Sequence, residues 1–213
     1  AGLKTNVWWR DDDVFDNTKE LNRLLHFSEK HDVPVHLAVI PKHLTDDARI
    51  LIKSNRNITV LQHGYAHVNH AKNGAPLNEF SLDREIEVML NEIRCGFTKL
   101  SEVFDEQFLP LFVPPWGHVA LPVIERLHKI GFVGVSLIGD KSKNYTSLKN
   151  MYVHIDIHSW KTNSEISYDV SIKPFEMIAN DFIKIISTEK FRSNGYLNIG
   201  VLTHSQIMHE NDW

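Results

Sequence analysis

A chain of 213 residues, 42% hydrophobic and 23% charged, is long enough for one sizeable core without disulfide staples. Its net charge of -4 excludes the basic footprint of a nucleic-acid surface, and no apolar run approaches the ~18 residues of a membrane span. One cysteine, Cys95, excludes an intrachain disulfide framework and a cysteine zinc ribbon, while 13 histidines offer metal-ligand and acid–base chemistry.

Strand-like and helix-like patterns alternate along the chain. Val7–Arg10 reads as a strand, Thr18–His31 as a helix, Val33–Ile40 as a strand, Thr45–Ser54 as a helix and Ile58–Gln62 as a strand. Ser81–Phe104 reads as a long helix opened by Ser81, because Ile86, Met89, Leu90, Ile93, Phe97 and Leu100 recur at spacings of three and four. Phe108–Val113 is a strand, and Leu121–Ile130 is a helix stopped at Gly131. Phe132–Ile138 and Met151–Trp160 are strands, Pro174–Thr188 a helix with Pro174 at its first position, and Leu197–Thr203 the last strand.

Seven strands alternating with helices, without a linker, predict a single α/β domain over 1–213. An eight-unit barrel takes ~250 residues, so the expectation is a distorted (β/α)7 barrel, with an open doubly wound sheet as the fallback. No GxGxxG or GxxxxGK[ST] follows the first strand, which removes the usual nucleotide readings. Ala1–Asn6 holds no apolar leader, and with one cysteine the expectation is a cytoplasmic location. Asn57-Ile58-Thr59 and Asn144-Tyr145-Thr146 match the short glycosylation pattern, which also arises by chance.

In such folds the chemistry sits where the strands end. The polar residues there are Arg10-Asp11-Asp12-Asp13, His63 to His70, Pro114-Pro115-Trp116-Gly117-His118, Asp156 to Trp160, and His204. Three adjacent carboxylates repel unless a cation neutralises them, although the run also suits a turn or a helix cap. His63 and His67 stand four apart, which puts both rings on one face if the segment is helical. With an Asp they make a carboxylate–His–His set, suited to catalytic zinc or to the facial triad of an Fe(II) oxygenase. His204, delivered by a buried strand, suits a general acid or a hydrogen-bonded core histidine.

These five strand-end motifs resemble, in order, those of the polysaccharide deacetylases (the NodB-homology domain, carbohydrate esterase family four). Arg10-Asp11-Asp12-Asp13-Val14 resembles Thr-Phe-Asp-Asp-Gly, which implies Asp12 as catalytic base and Asp13 as metal ligand. His63-Gly64-Tyr65-Ala66-His67 looks like His-[Ser/Thr]-x-x-His, implying two metal-binding histidines. Val113-Pro114-Pro115-Trp116-Gly117 resembles Arg-Pro-Pro-Tyr-Gly, which puts the oxyanion-holding N–H on Trp116. Asp156-Ile157-His158-Ser159-Trp160 looks like Asp-x-x-Asp-Trp. Leu202-Thr203-His204 resembles Leu-x-His, implying Leu202 and Trp160 at the acetyl methyl and His204 as general acid.

The resemblance implies hydrolysis of an N-acetyl group on an amino sugar or polysaccharide, assisted by a divalent metal, zinc by default, with Co, Ni, Mn or Fe as alternatives. Tyr65, Trp116 and Trp160 offer flat faces to a sugar, and His70 is assigned a loop or substrate role. The departures are Val113 for the motif's Arg, Ser159 for its second Asp and Gly64 for its Ser/Thr. Arg10, two residues before Asp12 on an extended strand, points the same way and is expected to replace the missing cation. Asp11 and Asp12 remain interchangeable in register, and the partner of His204 is Asp156 or a backbone carbonyl. The alternatives to a deacetylase are a catalytically degenerate carbohydrate- or metal-binding domain and an Fe(II) oxygenase.

Overall fold

A computed structural model describes residues 4–139, 148–162, 168–187, 192–193, 196–209 and 212. Asn144, Tyr145, Thr146 and Thr188 lie outside the described residues. The elements are β1 (Lys4–Val14), α1 (Lys19–His31), β2 (Val35–Val39), α2 (Asp46–Lys53), β3 (Ile58–His63), α3 (Ile86–Phe104), β4 (Phe108–Val113), α4 (Leu121–Ile124) and β5 (Gly134–Ile138). They continue with β6 (Lys149–Val153), β7 (Ile155–Asp156), β8 (His158–Thr162), β9 (Tyr168–Ile172), α5 (Phe175–Ile186), β10 (Arg192–Ser193) and β11 (Tyr196–Thr203).

The main sheet runs β11-β1-β2-β3-β4-β5-β6 with every neighbour parallel, and β10 adds an antiparallel edge to the start of β11. β7 follows β6 after His154 and pairs in parallel with Val201 and Leu202 of β11. With β6 and β7 taken as one strand broken at His154, seven parallel strands circle a barrel. The break has a local cause. The His154 N–H donates to the Gly200 carbonyl (2.8 Å), while its ring Nδ1 accepts from the Gly200 N–H (3.0 Å), so a side chain takes one rung of the ladder.

Alternation along the strands sorts the core into an outer and an inner part. Leu37, Val39, Ile58 and Val60 pack outward on Leu21, Leu24 and Leu25 of α1. Ala38 and Leu61 face the other way, with Leu111 and Val113, and form the apolar floor of the barrel. Helix starts follow the side-chain caps: the hydroxyls of Thr18 and Thr45 accept from the N–H groups of Leu21 and Ala48.

Several expected boundaries are corrected. α3 begins at Ile86, not Ser81, because the Ser81 hydroxyl donates to Asp83 (2.8 Å) and accepts from its N–H (3.2 Å), holding a turn instead of a helix. Leu121–Ile130 is only one turn of helix followed by a 3₁₀ turn at Leu127–Lys129. Pro174 caps α5 instead of occupying its first position. Met151–Trp160 is three strands, the last of which leaves the barrel to form an antiparallel hairpin with β9, an element missed in the sequence.

Candidate metal and catalytic site

β1 carries the three aspartates to the mouth of the barrel and separates them. Arg10 and Asp12 point inward, as residues two apart on a strand must. Arg10 Nε donates to Asp12 Oδ1 (2.8 Å), Nη2 donates to Oδ2 (2.9 Å) and Nη1 donates to the Ser136 hydroxyl (2.6 Å). Arg10 and Asp12 are 1% and 3% exposed, so the pair is shielded from screening. Val113, where the motif's Arg would stand, is buried in the apolar floor below.

Asp11 faces the opposite side. Its carboxylate accepts from the hydroxyls of Thr203 (2.5 Å) and Ser205 (2.7 Å) and from the Ser205 N–H (2.8 Å), which ties β1 to the end of β11. Burial pushes its carboxyl up to about 6. Asp12 lines the cleft, whereas Asp11 is bonded to the end of β11 and does not line it.

Strict alternation would also turn Asp13 away. Instead, the ladder with β2 shifts register between Asp11 and Val14, and Asp13 takes a left-handed φ of 68°. This bulge brings consecutive residues Asp12 and Asp13 onto the same cleft. Asp13 Oδ1 lies 3.1 Å from both His63 Nε2 and His67 Nε2. Burial raises the Asp13 carboxyl, but the bonds from the two imidazoles outweigh it and hold Asp13 well below the usual carboxylate range.

The histidines are not presented by a helix. His63 ends β3, and the chain then turns through Gly64 (φ 54°) and His67 (φ 55°), which folds the second imidazole back beside the first. Their ring centroids are 5.0 Å apart. Glu79, fully buried, pins this turn by accepting from the N–H groups of Tyr65 and Ala66, the latter at 2.6 Å. A Cβ on Gly64 would overlap Glu79 Oε2 and stand 2.6 Å from Pro115 Cγ, which explains why glycine replaces the motif's Ser/Thr. Burial raises the Glu79 carboxyl despite its backbone donors. Nothing in the spacing of the sequence marks Glu79, which reaches back to the turn from further along the same β3–α3 connection.

The donor set Asp13–His63–His67 fits a divalent cation. The two Asp13–histidine separations of 3.1 Å are close to the ~3.3 Å edge of a tetrahedron with metal–ligand bonds of ~2.0–2.1 Å, and all three ligand atoms lie within 4.8 Å of one another. His63 Nδ1 is 3.1 Å from the Val113 carbonyl, to which it donates, so with a cation in the site in place of the bond to Asp13, Nε2 would offer its lone pair.

The part of the mouth formed by β7, β8 and the end of β11 holds His204, Asp156 and Trp160, with His158 buried beside them. Trp160 Nε1 donates to Asp156 Oδ2 (2.8 Å), and the Trp160 and His204 rings meet edge to face at 5.0 Å. Burial lowers the His204 imidazole below its usual value. Trp116 sits in a tight turn at φ 54°, its ring 4.4 Å from that of His67. The cleft measures about 470 Å³, with Pro76, Leu77 and Ile138 adding apolar surface.

Three expected substrate contacts are not on the cleft. Tyr65 is turned by the Gly64 bend toward the cluster around Phe80 and Phe112, with Lys42 Nζ 5.8 Å from its ring centroid. Leu202 is fully buried in register with Arg10, two residues behind Asp12 along the strand direction. His70 is exposed in the loop beyond His67, its N–H bonded to the Asn78 carbonyl.

No protein-family model and no curated protein sequence matches the chain. Solved structures do. A Mycobacterium smegmatis protein assigned as a polysaccharide deacetylase superposes with a TM-score of 0.66 at 15% identity, over 96% of this chain and 78% of that one. The Bc1960 peptidoglycan N-acetylglucosamine deacetylase gives 0.58 at 16% identity, over 95% and 72%. BA3943 of Bacillus anthracis, a family 4 carbohydrate esterase pseudoenzyme, gives 0.52 at 16% identity, over 95% and 55%. The chain has the distorted (β/α)7 barrel fold of the polysaccharide deacetylases and family 4 carbohydrate esterases.

Proposed function

We propose that the protein is a divergent polysaccharide deacetylase that hydrolyses an N-acetyl group on an amino sugar. One observation carries this reading. The Asp12 carboxylate, held on both oxygens by Arg10, opens on the same cleft as the Asp13–His63–His67 donor set, and a partly buried imidazole, His204, lines that cleft too. An acyl carbon in that cleft is offered both a base and an acid by its lining.

A divalent cation held by Asp13, His63 and His67 supplies Lewis-acid polarisation of the acyl oxygen and makes water more acidic. Arg10 aims Asp12 through both carboxylate oxygens, so that Asp12 takes the proton of the attacking water. The Trp116 N–H donates to the oxygen as it becomes negative. His204 gives a proton to the departing nitrogen, and the products are acetate and a free amine. Trp116 and Trp160 present ring faces to the sugar.

The test is acetate release from N-acetylglucosamine oligomers by chelated and metal-reloaded protein. Asp12→Asn is expected to keep the bound metal and lose release; retained turnover in that variant overturns the base assignment. Val113 and Ser159 at the two motif positions, together with the pseudoenzyme likeness, favour a second reading in which oligomers bind and no acetate appears.

A further inference from the structure

We propose that His158, held by Asp156, is the positioning partner of His204, so that an Asp156–His158–His204 relay takes the place of the carboxylate absent at Ser159. The inference rests on the deacetylase reading for its kinetic consequences, but not for the pairing itself.

His158 begins β8 and is 2% exposed. Its backbone N–H donates to Asp156 Oδ1 at 2.9 Å, and its ring Nδ1 lies 3.1 Å from the same oxygen. Burial raises the Asp156 carboxyl, but these bonds and the one from Trp160 outweigh it and lower Asp156, so it accepts as a carboxylate. His158 Nδ1 therefore carries the proton and Nε2 the lone pair. That Nε2 is buried and has no hydrogen-bond partner, and the same holds for Nδ1 of His204.

Two orphaned ring nitrogens in one place are costly unless they serve one another. The His158 and His204 rings lie edge to face at 5.3 Å, and one ligand atom from each of Asp156, His158 and His204 falls within 4.8 Å of the others. A small rotation of either ring, or one bridging water, completes a bond from His204 Nδ1–H to His158 Nε2. His204 is then fixed as the Nδ1–H tautomer with Nε2 toward the cleft, the atom that takes up and hands on the catalytic proton. The charge it gains on protonation is stabilised through His158 by Asp156.

The same three side chains could instead ligate a second cation. Asp156 argues against this: Oδ1 serves His158 and Oδ2 serves Trp160, so it orients the imidazole instead of facing the gap.

The test begins with nitrogen-15 NMR of the histidine rings in chelated protein. His158 and His204 are expected as Nδ1–H tautomers, and His158→Phe is expected to move His204 to the Nε2–H form. A His204 tautomer unaffected by His158→Phe overturns the proposal, as does a second equivalent of zinc bound by wild type and lost in Asp156→Asn. In kinetics, His158→Phe is expected to lower kcat on an N-acetyl oligomer about 100-fold at unchanged KM and unchanged metal content. It should act far less on p-nitrophenyl acetate, whose leaving group needs no proton. The loss should vanish in a His204→Ala background. Equal losses on amide and ester overturn the relay. Should His158→Phe fail to fold, His158→Gln carries the same test, since it keeps an acceptor for His204 and is expected to recover part of kcat. If wild type releases no acetate while the tautomers respond as described, the deacetylase reading falls and the pairing stands.

Discussion

Arg10 and Asp12 form a two-pronged pair across one repeat of the pleat, 2.8 and 2.9 Å at its two contacts and almost wholly buried, with Asp12 lining the cleft. Removing the cation leaves a buried carboxylate with no partner. Arg10→Met is expected to cost about 3–5 kcal/mol, read as a lower urea midpoint at unchanged slope. Arg10→Lys keeps the charge but not the fork or the bond to Ser136. It is expected to lose less stability and at least about tenfold in acetate release. A lysine variant with wild-type turnover would show that the base needs only a nearby charge.

Asp11 and Asp12, adjacent in sequence, should respond in opposite ways. Asp11→Ala strands the hydroxyls of Thr203 and Ser205 and the Ser205 N–H, and is expected to cost on the order of 1–3 kcal/mol while metal stoichiometry holds at one per chain. Asp12→Asn is expected to leave the metal in place and remove turnover. Chemical denaturation and metal analysis on the two variants separate these roles. Metal lost with Asp11→Ala in a folded protein would reverse the assignment.

Glu79 holds the turn that carries His67, without touching the donor set. Glu79→Ala is expected to weaken zinc binding about 10–100-fold, as the loss of a group that orients a ligand does. Gly64→Ala is expected to do the same through the positive φ and the collision with Glu79 and Pro115. Competition titration against a chromophoric chelator measures both. His70→Ala, in the exposed loop beyond, serves as the comparison with unchanged affinity.

His36 supplies a pH dependence away from the site. Burial lowers its imidazole below 6.5, although the bond to the Trp9 carbonyl partly offsets this. The unfolded chain therefore takes up a proton before the folded one does. Stability from this source is intact above the unfolded value of 6.5 and is lost as pH falls toward the folded one. Replacing it in His36→Gln is expected to flatten the decline in urea midpoint between about pH 7 and pH 5. A parallel decline in both proteins would assign the slope to other groups.

The alternation of strand and helix, the seven-strand count and the five polar strand ends were all legible in the linear order of residues. Parallel strands place their C-terminal ends on one side of a sheet, so residues far apart in sequence are committed to one mouth once the strands are recognised. Arg10 as the cation beside Asp12 followed from the two-residue period of a strand.

What lies in the cleft was decided by backbone turns that break those periods and by neighbours from distant segments. A register shift and a positive φ bring Asp13 round beside Asp12, and Gly64 folds His67 onto His63 while sending Tyr65 into the core. Glu79 reaches the histidine turn from a loop, and Asp156 and His158 meet His204 only because β7 closes the barrel against β11. Periodicity along a chain states which residues share a face. Only the packed structure states which turns suspend that rule, because the free energy of a bulge or a left-handed residue is settled by the tertiary contacts that hold it.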